Sequence, residues 1–200
     1  MEIEPDPYSM MINHSFKYLF NKYKEKRRIF LLEELSKAGF TKESPEIKKD
    51  EFIAAFIATE DALKRSSSKN KIMTLSNMLV YGVGSGKLFE NPSSYHEILS
   101  IIDDLSDREI IILYHLYDYR NNDTSYCIET EPKNMTSYIA EKMNCDAELS
   151  SALLTRLERT GLLSITHGYS GAKSHELSAL ATELRKWVEF QIDQGHIHST

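Results

Sequence analysis

IAEKMNCDAELSSALLTRLERTGLL, residues 139–163, reads as two short helices joined by a tight turn and left through a strand. The first helix ends near Asn144 and Cys145, the Asp146 carboxylate is placed to cap the second, and Gly161 supplies the left-handed residue that stops it. Ile139, Ala140 and Met143 form one apolar face, while Leu149, Leu153 and Leu157 recur at four-residue spacing as a buried stripe. That stripe turns Ser150, Ser151 and Thr155 outward. Residues 162–167 (LLSITH) have strand composition, 168–171 (GYSG) form a turn, and His175, Glu176 and Leu177 return as the partner strand before a final helix opens at Ser178. The prediction is a helix-turn-helix followed by a β-hairpin and a closing helix.

The chain has 200 residues, 41% apolar and 27% charged, ordinary values for a globular protein able to bury a core. Its formal charge of −6 supplies no global basic field toward nucleic acid or an anionic membrane. Residues 1–104 carry 15 Lys and Arg against 16 Asp and Glu, and residues 105–200 carry 9 against 14, so the half with the helix-turn-helix is the more acidic. Cys127 and Cys145 lie far apart without a CxxC pair and read as free thiols of a reducing cytoplasm. No apolar run approaches the ~20 residues of a membrane span, and the acidic start MEIEPDPYSM is unlike a signal peptide. The expected location is cytoplasmic, with no membrane span.

Upstream, residues 11–38 predict one long amphipathic helix that buries Ile12, Phe16, Leu19, Tyr23, Phe30 and Leu35 and stops at Gly39. Its basic run, Lys22, Lys24, Lys26, Arg27 and Arg28, reads first as a solvated face balanced by Glu25, Glu33 and Glu34; the alternative is a phosphate-binding or membrane-surface strip. A second helix starts at Ser44–Pro45, with Asp50 as the rival start, and buries Phe52, Ile53, Phe56 and Leu63. Residues 71–81 resume a helix, which GVGSG at 82–86 breaks. With Lys87 that glycine stretch invites comparison with a phosphate-binding loop, but its glycines alternate, Leu88 follows the lysine and the preceding segment reads as helix, so the spacing is wrong. Ser94 with Glu97 and Ser106 with Glu109 form two capping boxes. The second opens residues 107–120, apolar almost all round and so predicted to be buried on two sides. Residues 121–133 form a loop with a short edge strand at 125–128, and a last helix from Ser178 to about Gln191 buries Leu180, Leu184, Trp187 and Val188. The fold class is therefore mainly α: a helical bundle domain at 1–104, then a winged helix-turn-helix domain at 105–200 with a small β-hairpin wing.

IAEKMN, LLTRLERTGLL and HELSALATELRKWV, in that order, resemble the bacterial winged-helix regulators of the MarR and PadR type over residues 106–190. DEFIAAFIATEDALKRSSSKNKIMTLSNML with HEILSIIDDLSDREIIIL resembles bacterial proteins that place a helical region before such an end and brings no known activity. The first resemblance implies a dimeric regulator whose second helix lies in the major groove of duplex DNA while the wing touches backbone or minor groove. On this chain the contacts would fall to Ser150, Ser151, Thr155, Arg156 and Arg159 on that helix, with Tyr169 and Lys173 on the wing. Charge points elsewhere. The first two turns present Asp146, Ala147, Glu148, Ser150, Ser151 and Ala152 without a cation, although affinity for a duplex comes largely from neutralised phosphates. The leading expectation remains a regulator that engages duplex DNA through this end, and the alternative is an adaptor whose acidic winged helix docks a protein partner, with the N-terminal helices left for partner or effector contact.

No catalytic, metal or cofactor site is expected. None of the seven histidines lies in HExxH or at ligand spacing from a cysteine, and His115, inside an apolar helix, reads as a core histidine with one satisfied nitrogen. His196 and His198 would need metal partners from elsewhere, and Asp103 and Asp104 point about 100° apart on a helix. No GxSxG elbow is present, and neither cysteine has a local activating signature, so the expected function is non-enzymatic.

Overall fold

The structure, a computed structural model, describes residues 7–122, 135–167 and 173–188, and of 7–15, 120–122, 166–167 and 173–174 the backbone alone. It is mainly helical with one two-stranded antiparallel sheet. Helix α1 (Pro7–Lys37) is followed by a 3-10 turn at Pro45–Lys48, then α2 (Asp50–Arg65), α3 (Lys69–Gly84), the single turn α4 (Lys87–Glu90), and α5 (Pro92–Asp104). After them come α6 (Asp107–Asn122), α7 (Met135–Lys142), α8 (Ala147–Arg159), strands β1 (Leu163–His167) and β2 (Lys173–Leu177), and α9 (Ala179–Arg185). Among the described residues no helix is long and apolar enough to cross a membrane.

Local chemistry sets most of these boundaries. Pro45, whose missing amide is no loss at a first helical position, opens a 3-10 turn, and the α-helix starts at the rival position, Asp50. The Ser68 hydroxyl accepts from the Lys71 amide and starts α3 two residues earlier than the apolar pattern does. The glycine stretch fails to break α3 at Gly82; the helix runs to Gly84, and Gly86 (φ +78°) makes the turn. Helix α5 starts at Pro92 under an Asn91 cap, whose side-chain oxygen accepts from the Ser94 amide at 3.2 Å, so the expected Ser94–Glu97 box is replaced by an earlier start. The Ser106–Glu109 box forms. Glu109 accepts from the Ser106 amide at 2.8 Å, and Ser106 Oγ accepts from the Glu109 amide at 3.3 Å.

Helix α2 packs on α1, α3 and α5; α3 packs on α5 and α6; and α6 packs on α7 and α8, so α6 joins the N-terminal helices to the C-terminal ones. As its composition predicts, α6 is buried on two sides, with Ile110, Ile112, Leu113, Leu116 and Tyr117 all in the core. Buried side chains of both halves form one cluster, in which Trp187 packs edge-on against Tyr95 at 5.9 Å between ring centroids. His115 is buried, but neither ring nitrogen finds a hydrogen-bond partner among the described residues, where one was expected to be satisfied.

Helix α1 departs from its predicted amphipathic docking. Its second half is anchored: Leu31 and Leu35 are in the core, Arg28 pairs with the buried Glu60 at 3.0 Å, and the Tyr23 hydroxyl donates to the Ser66 carbonyl at 2.8 Å. From residue 16 to residue 22 nothing covers it among the described residues. Phe16 (66% exposed) and Leu19 (58%), expected in the core, face outward with Tyr18 and Phe20. On α2 the expected core residue Ile53 is exposed as well.

Candidate functional site: the outer face of α8

Helix α7 stops at Lys142, and the chain turns through Asn144, whose φ of +48° is the left-handed region that asparagine tolerates. Asp146 caps α8, its carboxylate accepting from the Leu149 amide at 2.7 Å, and Gly161 (φ +76°) ends the turn after α8. β1 and β2 pair antiparallel from Leu163 opposite Leu177 to His167 opposite Lys173. The Ser178 hydroxyl accepts from the Ala181 amide at 3.1 Å, opening α9 where expected, although α9 ends at Arg185, well before Gln191.

The face that α8 buries is rotated from the predicted one. Leu149 is 40% exposed, whereas Ser150 is wholly buried with Leu153, Leu154 and Leu157. A strict four-residue spacing drifts by about 40° per step around a helix, and the set 150, 153, 154, 157 fits the 3.6 period better. Ser150 is tolerated inside because its hydroxyl donates to the Thr136 carbonyl at 2.9 Å, tying α8 to the start of α7. It is therefore removed from the set of outward contact residues.

Ser151 and Thr155 do lie outward, the Thr155 hydroxyl donating back to the Ser151 carbonyl at 2.9 Å. Arg156 is half exposed, but its guanidinium is held by the buried Glu109 at 3.1 Å, a partner that sequence reading assigned only to helix capping. Arg159 is exposed and makes no ion pair among the described residues. Lys173 stands at the first position of β2, opposite His167, and Tyr169 lies outside the described residues, as do Cys127, the expected strand at 125–128 and His196 and His198. The outward surface of the first two turns of α8 thus consists of Ala147, Glu148, Leu149, Ser151 and Ala152 beside Asp146.

Other candidate chemistry is already committed. Asp103 pairs with Arg65 and lies 3.9 Å from the Lys71 ammonium, which itself donates to the Leu105 carbonyl at 2.9 Å; burial pulls that ammonium below the ordinary lysine value, with Asp103 opposing. The Cys145 thiol is pushed up by burial and by the Asp146 carboxylate, the opposite of an activated nucleophile. No group of three or more potential metal ligands occurs among the described residues.

Comparison with protein-family models, with curated proteins and with solved structures finds no match to this chain.

Proposed function

We propose that the chain is a non-enzymatic regulatory protein whose residues 105–200 form a winged helix-turn-helix, with α8 as its exposed second helix and the β1–β2 hairpin as its wing, and that this unit docks a protein partner. The observation that carries the reading is the charge of α8. Its first two outward turns hold Asp146 and Glu148 around the exposed Leu149, and the first arginine along the helix, Arg156, is paired with Glu109. A partner that fits would be basic around an apolar contact. The N-terminal helices are left for contact with a further partner or effector.

Duplex DNA is the second reading. It is favoured by Ser151, Thr155 and Arg159, which recur every four residues along one exposed edge of α8. Anisotropy of a labelled mixed-sequence duplex of about 20 base pairs at roughly 50 mM salt separates the two. Docking predicts no duplex binding by the natural chain. Glu148→Lys with Ala152→Lys then creates weak binding that falls steeply with salt, because the shape is present and only the phosphate-neutralising charge is missing. Binding by the natural chain that Arg159→Ala weakens would replace the docking reading with the DNA one.

A further inference from the structure

We propose that the first half of α1 is a peripheral membrane-binding helix that lies on an anionic lipid surface. Every residue from 16 to 22 is exposed, among them Phe16, Tyr18, Leu19 and Phe20, and Tyr23 is the first residue after them to contact the bundle. At about 100° per residue, Phe16, Leu19 and Phe20 fall within one stripe roughly 100° wide. Lys17 and Lys24 stand roughly a quarter turn to one side of that stripe and Lys22 and Lys26 to the other, with Tyr18, Asn21 and Glu25 opposite. Flanking lysines can keep their ammonium groups at headgroup level while the aromatic stripe sinks into the acyl boundary.

Charge decides the occupant. Residues 16–28 carry six Lys and Arg against one acid, a net +5, and residues 1–28, with Glu2, Glu4 and Asp6, carry six against four, a net +2. Taking those from the chain total of −6 leaves −8 on residues 29–200. Arg27 and Arg28 are spent on the bundle through Ser66 and Glu60, whereas Lys17, Lys22, Lys24 and Lys26 form no ion pair among the described residues. A second copy pairing through the same segment would set one +5 charge against another, whereas an anionic bilayer satisfies the charge and the apolar stripe together. From Pro7 to Lys22 the helix spans about 24 Å at 1.5 Å per residue, enough to lie along the interface.

The test is co-sedimentation of the full chain with vesicles of phosphatidylcholine containing about a quarter phosphatidylserine, beside vesicles of phosphatidylcholine alone. Binding is expected to the first only and to weaken with salt. Each lysine near an anionic surface is worth about five-fold in affinity, so Lys22→Gln with Lys26→Gln weakens binding about 25-fold. Phe16→Ser with Phe20→Ser abolishes it, while the helical circular dichroism and melting temperature stay unchanged because neither ring packs on the bundle. Phe20→Trp adds a fluorophore whose emission shifts to the blue on anionic vesicles, against the steady signal of the buried Trp187. No sedimentation with anionic vesicles at low salt, equal binding to neutral ones, or a dimer that Phe16→Ser with Phe20→Ser dissolves would overturn the proposal.

Discussion

At Glu109 a carboxylate that is 3% exposed accepts through one oxygen from the Ser106 amide, the Ser106 hydroxyl and the Arg156 guanidinium. A buried charge is tolerable only while its donors stay in place. Glu109→Ala is therefore expected to lower stability by about 2–3 kcal/mol, and Arg156→Ala by about 1 kcal/mol, because the guanidinium is half in water and its pairing is screened. Urea unfolding of the two variants and their double mutant measures the coupling; an additive double mutant would show that the pair does not cooperate. His115 gives the pH dependence. Burial, helped by the Lys142 ammonium and opposed by Asp118, pulls its imidazole below the ordinary value of 6.5. The unfolded chain then binds the proton more readily, so the histidine's contribution is fully present above that ordinary value and is lost as pH falls toward the lower folded one. The urea midpoint should drop more between pH 7.5 and pH 5 in the natural chain than in His115→Phe, at about the ordinary histidine range. A Glu three residues from a Ser made the capping box legible, but Glu109 to Arg156 and Ser150 to Thr136 join residues that no local pattern connects.

At the scale of elements, the turns were legible because a few residue types serve them: Asp146 and Ser178 as caps, and Gly39, Gly86 and Gly161 in the left-handed region. Gly161→Ala tests this. Space is available, since an added Cβ would meet only Leu180 Cδ2 at 3.6 Å, so the cost is the φ of +76° alone. Stability should fall by about 1 kcal/mol, with binding through α8 unchanged; a neutral result would mean that the turn relaxes. Burial faces were harder to read. The apolar pattern of α1 runs the whole length of the helix, but residues 16–22 stand clear of the bundle, and a sequence does not carry the length over which two helices touch. In α8 the larger apolar side chain, Leu149, misled the pattern, because Ser150 gains a carbonyl partner that makes it a core residue. In α5 an asparagine before a proline outcompetes the serine box three residues later.

For the whole molecule, the question is whether 1–104 and 105–200 behave as separate units. Trp187, just beyond α9, is 3% exposed and packs against Tyr95 of α5, and an added Cβ on Gly82 of α3 would come within 3.5 Å of its ring. Lys87 of α4 donates to the Lys186 carbonyl at 3.0 Å, and α6 is buried between the two sets of helices. The end of the chain thus completes the core of its beginning. Trp187→Ala should cost about 3–5 kcal/mol, as for other large buried aromatics, and should lower the melting of all the helices together. In the natural chain, the fluorescence of Trp187, its sole tryptophan, and helical circular dichroism should report one coincident transition in urea. Two separated transitions, with Trp187→Ala moving only one, would instead place a boundary near residue 104 and make the Trp187 contact a docking of two self-sufficient units. Gly82→Ala sharpens the comparison: a methyl at van der Waals distance from the Trp187 and Tyr95 rings also removes a helical glycine, so it should raise stability by about 0.5–1 kcal/mol. That gain requires Trp187 to keep its seat while α3 is tightened, and a loss would mean that the ring is displaced.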